Sequence, residues 1–280
     1  MMLKKAMKVA LCSAVIAAAV IATGHSEEET PGKSVLKVGM ECASAPYNWP
    51  QSTPEGGGVR IAGSTEYAYG YDVIIAKKLA DEMDMELEVY KIEWDGLPPA
   101  VVTGKVDAAV AAMAITAKRK ESVDFTVPYY YANVVALVRK DSPQANAKCL
   151  ADLRGSSATS QLNTVWYNKV DQIPDVEKLP ALDTVPSMIV ALQSSKCDVL
   201  IVDIPTAKAA EFANPELMML DFPEGKGFIT SREDVEIGIA IQKGNTELVD
   251  AMNAILIEMT DADRQAIMDE AIRKQPLMQS

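Results

Sequence analysis

Residues 112–131 read Ala-Met-Ala-Ile-Thr-Ala-Lys-Arg-Lys-Glu-Ser-Val-Asp-Phe-Thr-Val-Pro-Tyr-Tyr-Tyr and contain a well-placed anion-binding group. An apolar run, AAVAAMAI (108–115), ends at Thr116, and Arg119 follows one turn later. A buried strand that opens into Thr-x-x-Arg leaves a helix start and a guanidinium facing one space. Backbone N–H groups at a helix start lack partners, and Arg adds a planar fork that matches a carboxylate. The chemistry on offer is capture of a carboxylate. Asp203, in VDIP, closes another apolar run and is read both as the cap of the helix after it and as a carboxylate meeting the same space.

Those groups need a scaffold. Val35 to Met40 reads as a strand, and the Pro and Gly residues of SAPYNWPQSTPEGGG (44–58) argue against regular structure there. Tyr71 to Met83 carries one apolar face at helical spacing, LEVYKIEW (87–94) alternates as a strand, and a helix starts around Pro98-Pro99. Lys105 opens the next strand. Strand–helix–strand units of this length imply parallel sheets with helices on both faces. NVVALVRKDS (133–142) is a long β segment leaving this unit, after which the pattern restarts. A short helix (CLADLRG), a strand (SSATSQ), a helix from Thr164, a strand at Glu177, a helix from Pro186, the strand CDVLIVD (197–203) and a helix from Pro205 follow. VEIGIAIQKG (235–244) returns, and helices over 246–259 and 261–274 end the chain. The expected fold is therefore α/β with two lobes, joined by two β crossings near 136–142 and 236–243. Ligands of such sheets lie beyond the carboxyl ends of the strands, here Glu41–Trp49, Trp94, Ala112–Arg119, Gln161–Thr164 and Asp203.

The 112–131 stretch, together with GYDVIIAKKLADEMDMELEVYKIEWDGLPPAVVTGKVDAAV (70–110), resembles the family 3 extracellular solute-binding proteins, the periplasmic receptors of polar amino-acid ABC transporters. The resemblance spans about residues 35–275 and implies a type II periplasmic-binding-protein fold, with lobe I at 35–138 and 237–280 and lobe II at 139–236. It places Arg119 on a ligand α-carboxylate and Asp203 on the α-ammonium. Trp94 falls at an aromatic position beside the ligand, Tyr47 and Trp49 in a proline–aromatic turn, and Glu41 at a position that reads the side chain. Gln161 and Thr164 face the ligand from lobe II. Ala112 and Ala114 depart from the Ser, Thr or Gly common there, leaving backbone contacts only. Asn163 replaces a loop glycine, a change Asn tolerates because it accepts left-handed φ. The function implied is capture of a polar L-amino acid, basic or amidated, for delivery to a membrane ABC permease, by a monomer without cofactor. The rival is an exported cyclohexadienyl dehydratase on the same fold, with Glu41 or Asp203 as acid.

Composition agrees with an exported binder. Residues 1–24 have a basic start (Lys4, Lys5, Lys8), an apolar middle and a small-residue end, the pattern of a cleaved signal peptide. Residues 25–34 read as a polar, disordered leader. Cys12 lacks the flanking residues of a lipoprotein site, so the expected product is free in a periplasm, without a membrane anchor. The net charge of −12 over 280 residues becomes −15 after cleavage, with 24 basic against 39 acidic residues. That leaves no footprint for nucleic acid or anionic lipid. His25 is the one histidine, so a zinc site or a histidine-based triad lacks its parts. Three cysteines remain after cleavage, Cys42, Cys149 and Cys197. Cys149 and Cys197 are expected at the cleft-distal ends of neighbouring strands, where an oxidising compartment would let them pair.

Overall fold

The computed structural model describes residues 33–276; the expected signal peptide and residues 25–32 of the leader lie outside the described residues. The chain begins with β1 (Val35–Met40), β2 (Trp49–Gln51), β3 (Val59–Arg60) and β4 (Tyr67–Tyr69), then α1 (Tyr71–Glu82), β5 (Glu86–Lys91) and α2 (Leu97–Val102). It continues through β6 (Ala108–Ala109), the single turn α3 (Ala117–Lys120), β7 (Val123–Phe125) and β8 (Tyr130–Tyr131). β9 (Val134–Arg139), β10 (Ser157–Thr159), β11 (Glu177–Lys178), α4 (Val185–Gln193), β12 (Val199–Asp203), α5 (Ile204–Ala213) and β13 (Leu217–Leu220) come next. The last elements are α6 (Arg232–Val235), β14 (Glu236–Ile237), β15 (Ala240–Gln242), α7 (Thr246–Ile257) and α8 (Asp261–Lys274).

Two five-stranded sheets organise these elements. The first has the order β5-β1-β6-β15-β7, with β1 parallel to β5 and β6, and β15 antiparallel to β6 and β7. The second has the order β11-β10-β12-β9-β13, with β10 parallel to β11 and β12, and β9 antiparallel to β12 and β13. Side chains alternate across each strand, so each sheet feeds two cores. In the first, Leu36, Val38 and Met40 pack with Ile75, Leu79, Met252, Leu256 and Met268 of α1, α7 and α8. The α2 residues Leu97 and Val101 cover the opposite side. In the second, Val134, Ala136 and Val138 face Trp166 and Val170, while Val135 and Leu137 face Met188 and Ile189 of α4. Each such aliphatic side chain contributes about 1.5–3 kcal/mol by leaving water.

Local sequence explains where the helices start. Thr184 and Ser187 form a reciprocal cap on α4, Thr260 and Asp263 another on α8, and α2 carries proline in its first turn, where no N–H is needed. The N–H groups of Tyr71 and Asp72 at the start of α1, which have no partner within the helix, donate instead to the carbonyls of Pro46 and Tyr47, at 3.1 and 2.8 Å. That fastens the 44–48 loop onto a helix end.

Several expected boundaries move. β9 is an interior strand of the second sheet, so the first crossing lies before 136–142, at Tyr130–Tyr131. There β8 pairs antiparallel with β14 through Tyr131–Glu236 and Tyr130–Ile237. The 44–58 stretch is not wholly irregular: Trp49–Gln51 pairs with Tyr67–Tyr69 in a small sheet, with Pro50 on an edge strand where its missing N–H is tolerated. The helix expected from Thr164 is a 3-10 segment over Tyr167–Gln172, and β13 was not expected.

The bridge expected between Cys149 and Cys197 is absent, since both are free thiols, as is Cys42. Cys149 stands at the start of a 3-10 turn whose Leu150 N–H donates to the Lys226 carbonyl at 2.8 Å. Its side chain caps the 3-10 turn Leu150–Leu153, whereas Cys197 is buried in the core of the second sheet. Burial pushes the Cys197 thiol up to about 11 and the Cys42 thiol up to about 12, which suppresses the thiolate that would attack a disulfide. Thiol titration of the denatured protein is expected to find Cys42, Cys149 and Cys197 all reactive without reductant. A rise in count on adding reductant would contradict this arrangement.

Candidate functional site

The carboxyl ends of β1 and β6, the start of α3 and the segment after β10 converge on one cavity between the two sheets. It encloses about 420 Å³, its open mouth included. From the first sheet come Glu41, Tyr47, Trp94, Ala112, Ala114 and Arg119; from the second come Gln161, Thr164, Trp166 and Thr206. Eight of the ten residues singled out in the sequence are thus brought together.

Arg119 stands where the sequence places it. Thr116 caps α3 by accepting from the Arg119 N–H at 3.1 Å. The guanidinium donates to the Ala114 carbonyl at 2.7 Å and, across the cleft, to the Asn163 carbonyl at 3.1 Å. Its Cζ lies 5.4 Å from the centre of the Trp94 ring, a cation–π contact. Burial lowers its pKa to about 10, with no carboxylate contributing to offset that shift. The cation is therefore held by neutral oxygens and an aromatic face, with donor capacity to spare. Asn163 adopts φ 56°, the left-handed conformation its side chain type tolerates, and its Nδ2 donates to Asp95 Oδ1 at 2.9 Å.

Glu41 is 4% exposed. It accepts from Ser44 Oγ at 2.7 Å and, across the cleft, from Gln161 Nε2 at 3.2 and 3.3 Å. Burial raises its pKa, and the Ser44 and Gln161 hydrogen bonds oppose that rise. Thr164 is spent structurally, donating to the Gln161 carbonyl at 2.8 Å and accepting from the Tyr167 N–H. The Ala112 and Ala114 backbones line the wall, Ala112 with a left-handed φ of 50°.

Two expected site residues do not reach the cavity. Trp49 packs edge-on against Tyr69, with ring centres 5.3 Å apart, and borders a separate apolar groove with Ile189, Ala209 and Pro276. Asp203 is fully buried as the cap of α5, accepting from the Thr206 N–H at 2.7 Å and from the Tyr47 hydroxyl at 3.0 Å. Burial raises it to about 6. Its carboxylate thus lies one layer behind the wall, reached through Tyr47 and Thr206. The residues that sequence reasoning missed include Ser44, Thr206 and Trp166. Ser44 and Thr206 each follow a singled-out carboxylate by three residues, a signal that was available. Trp166 gave none, and its indole Nε1 is buried without a hydrogen-bond partner. Among the described residues, no group of three or more His, Cys, Asp or Glu could hold a metal ion, and no helix is long and apolar enough to cross a membrane.

The sequence profile of the bacterial extracellular solute-binding proteins, family 3, matches residues 36–272. A probable histidine-binding protein of Campylobacter jejuni is 30% identical over 73% of this chain and 74% of that protein. The arginine-binding extracellular protein ArtP of Bacillus subtilis is 28% identical over 90% of this chain and 91% of that protein. Among solved structures, the ancestral amino acid-binding protein AncCDT-1, a precursor of cyclohexadienyl dehydratase, superposes with a TM-score of 0.69 at 26% identity. It covers 85% of this chain and 96% of that one.

Proposed function

The chain belongs to the bacterial extracellular solute-binding proteins, family 3, and we propose that it captures one free L-amino acid with a basic or amidated side chain and hands it to an ABC importer. Its two α/β lobes are the type II fold expected from the sequence. The observation that carries the ligand reading is Arg119, a half-buried cation in the cavity wall whose protein partners are only carbonyl oxygens and an aromatic ring. Such a charge is stabilised by an anion that brings two parallel acceptors, which the α-carboxylate does. The ammonium end lies toward Tyr47 and the Asp203 carboxylate behind it, and Glu41 meets the side chain. Contacts from both lobes favour the closed form, so binding energy drives hinge closure at the β8–β14 ribbon. The protein acts as a monomer in the periplasm, released by cleavage of residues 1–24.

Calorimetry against the twenty amino acids, with ornithine and citrulline added, tests this reading. One of them should bind at 1:1, and binding by none would refute it. Glu41→Gln should cost L-arginine or L-lysine about tenfold more than L-glutamine, the difference between a charged and a neutral hydrogen bond. Equal losses across the panel would show that Glu41 is structural. We assign no catalytic residue; aromatic product from prephenate or arogenate would instead establish the dehydratase alternative.

A further inference from the structure

Asp72, the second residue of α1, lies behind the cleft and is fully buried. Its Oδ1 accepts from the Tyr129 hydroxyl at 2.6 Å and its Oδ2 from Asn48 Nδ2 at 2.7 Å. A buried carboxylate is costly, and this one is met by neutral donors alone, with the Asp203 charge nearby as a further penalty. Its two partners both lead to the ligand cavity. The Tyr129 hydroxyl accepts from the Ala112 N–H at 2.9 Å, and Asn48 Oδ1 accepts from the Cys42 N–H at 2.7 Å. Ala112 and Cys42 have φ of 50° and 52°, left-handed conformations that non-glycine residues adopt only when surrounding structure enforces them. They are the residues at which β6 and β1, neighbours in the first sheet, turn off toward the cleft. One carboxylate therefore fastens both strained turns, one in the cavity wall and the other next to Glu41.

We propose that Asp72 is a positioning residue for ligand binding: through Tyr129 and Asn48 it holds the two left-handed turns after β6 and β1, and so sets the Ala112–Ala114 backbone against Glu41 across the ligand. The proposal rests on the amino-acid-binding reading above. It gives a reason for a buried charge that the fold could otherwise do without, since α1 already has its first N–H groups satisfied by Pro46 and Tyr47.

The test uses the amino acid that binds tightest in the calorimetric panel, with Asp72→Asn, Tyr129→Phe, the double variant and Arg119→Ala. Asparagine keeps the shape but cannot accept from both Tyr129 and Asn48, and phenylalanine leaves the Ala112 N–H without its acceptor. Each single change should weaken binding about tenfold or more, as loss of a buried hydrogen bond to a charged group does. The losses in the double variant should be clearly less than additive, because both changes act on the shared Asp72–Tyr129–Ala112 branch. A purely structural Asp72 would lower the melting temperature while the folded variant bound as tightly as the native protein, which overturns the proposal. If Asp72→Asn does not fold, Tyr129→Phe decides alone, and unchanged affinity overturns it. Additive losses overturn it too. If Arg119→Ala binds like the native protein, or if no amino acid binds at all, the cleft reading fails and the proposal with it. If Arg119→Ala loses binding while the other variants keep it, only the positioning role fails.

Discussion

Arg119→Ala is expected to weaken amino-acid binding by at least ~100-fold, since losing one partner of a buried charged pair costs about 2–5 kcal/mol. The native guanidinium is held by the Ala114 and Asn163 carbonyls and the Trp94 face, which fixes its plane while leaving N–H groups for a ligand. Alanine removes that fork and the cross-cleft bond to Asn163 together, so both capture and closure suffer. Arg119→Lys should rescue little, because an ammonium is a point charge without the planar fork. With its pKa lowered only to about 10, Arg119 is cationic through neutral pH. Calorimetry on the folded variant checks the first claim, and an unchanged Kd would remove Arg119 from the site.

Gly70→Ala should destabilise the fold by about 3 kcal/mol or more, through a mechanism independent of the ligand. Gly70 has φ 129° and ψ −178°, a conformation that is essentially glycine's own. A Cβ there would lie 2.7 Å from the Tyr47 carbonyl carbon and 3.0 Å from Asn48 Cα, and closer still to the Tyr47 oxygen. All three are backbone atoms, which cannot rotate away. The tightness follows from the 44–48 loop resting on the start of α1, and that loop also carries Tyr47 toward Asp203 and Asn48 toward Asp72. A fall in melting temperature of about 6 °C or more is expected for a body of this size. A variant melting within ~2 °C of the native protein would mean that the loop and helix are not packed this closely.

Much of the scaffold was legible because its periodicity was undiluted. Tyr71–Glu82 and the two C-terminal helices carry apolar faces with readable starts, and β12 is an apolar run ending in a helix cap. β9 was read as a segment crossing between the lobes, not as a strand inside the second sheet, for a physical reason. Val-Val-Ala-Leu-Val is apolar on both faces, as an interior strand must be, and such a run says nothing about which sheet contains it. β13, Leu-Met-Met-Leu, is too short and uniform to show a period. Arg119 could be brought to the cavity by its place after a strand end and a helix start, and Glu41 by the family resemblance; both line it. Trp49 and Asp203 could not be placed, because a tryptophan beside proline packs equally well inward, and a carboxylate before a helix caps it whether or not a ligand is near. The Asp72 network was invisible for another reason: its members, Cys42, Asn48, Asp72, Ala112 and Tyr129, are scattered over distant segments with no spacing to link them.

The strand order has a consequence for how the polypeptide is made. β15 lies between β6 and β7, so the first sheet lacks an interior strand until residue 242 has been synthesised. Its core also waits for Met252, Leu256 and Met268 of the last two helices. The second sheet draws every strand from 134–220 and can assemble from one uninterrupted stretch. A nascent chain can therefore complete its middle before its beginning, and the first lobe stays open until β15, α7 and α8 have been synthesised. Pairing between strands so far apart in sequence is slow to form.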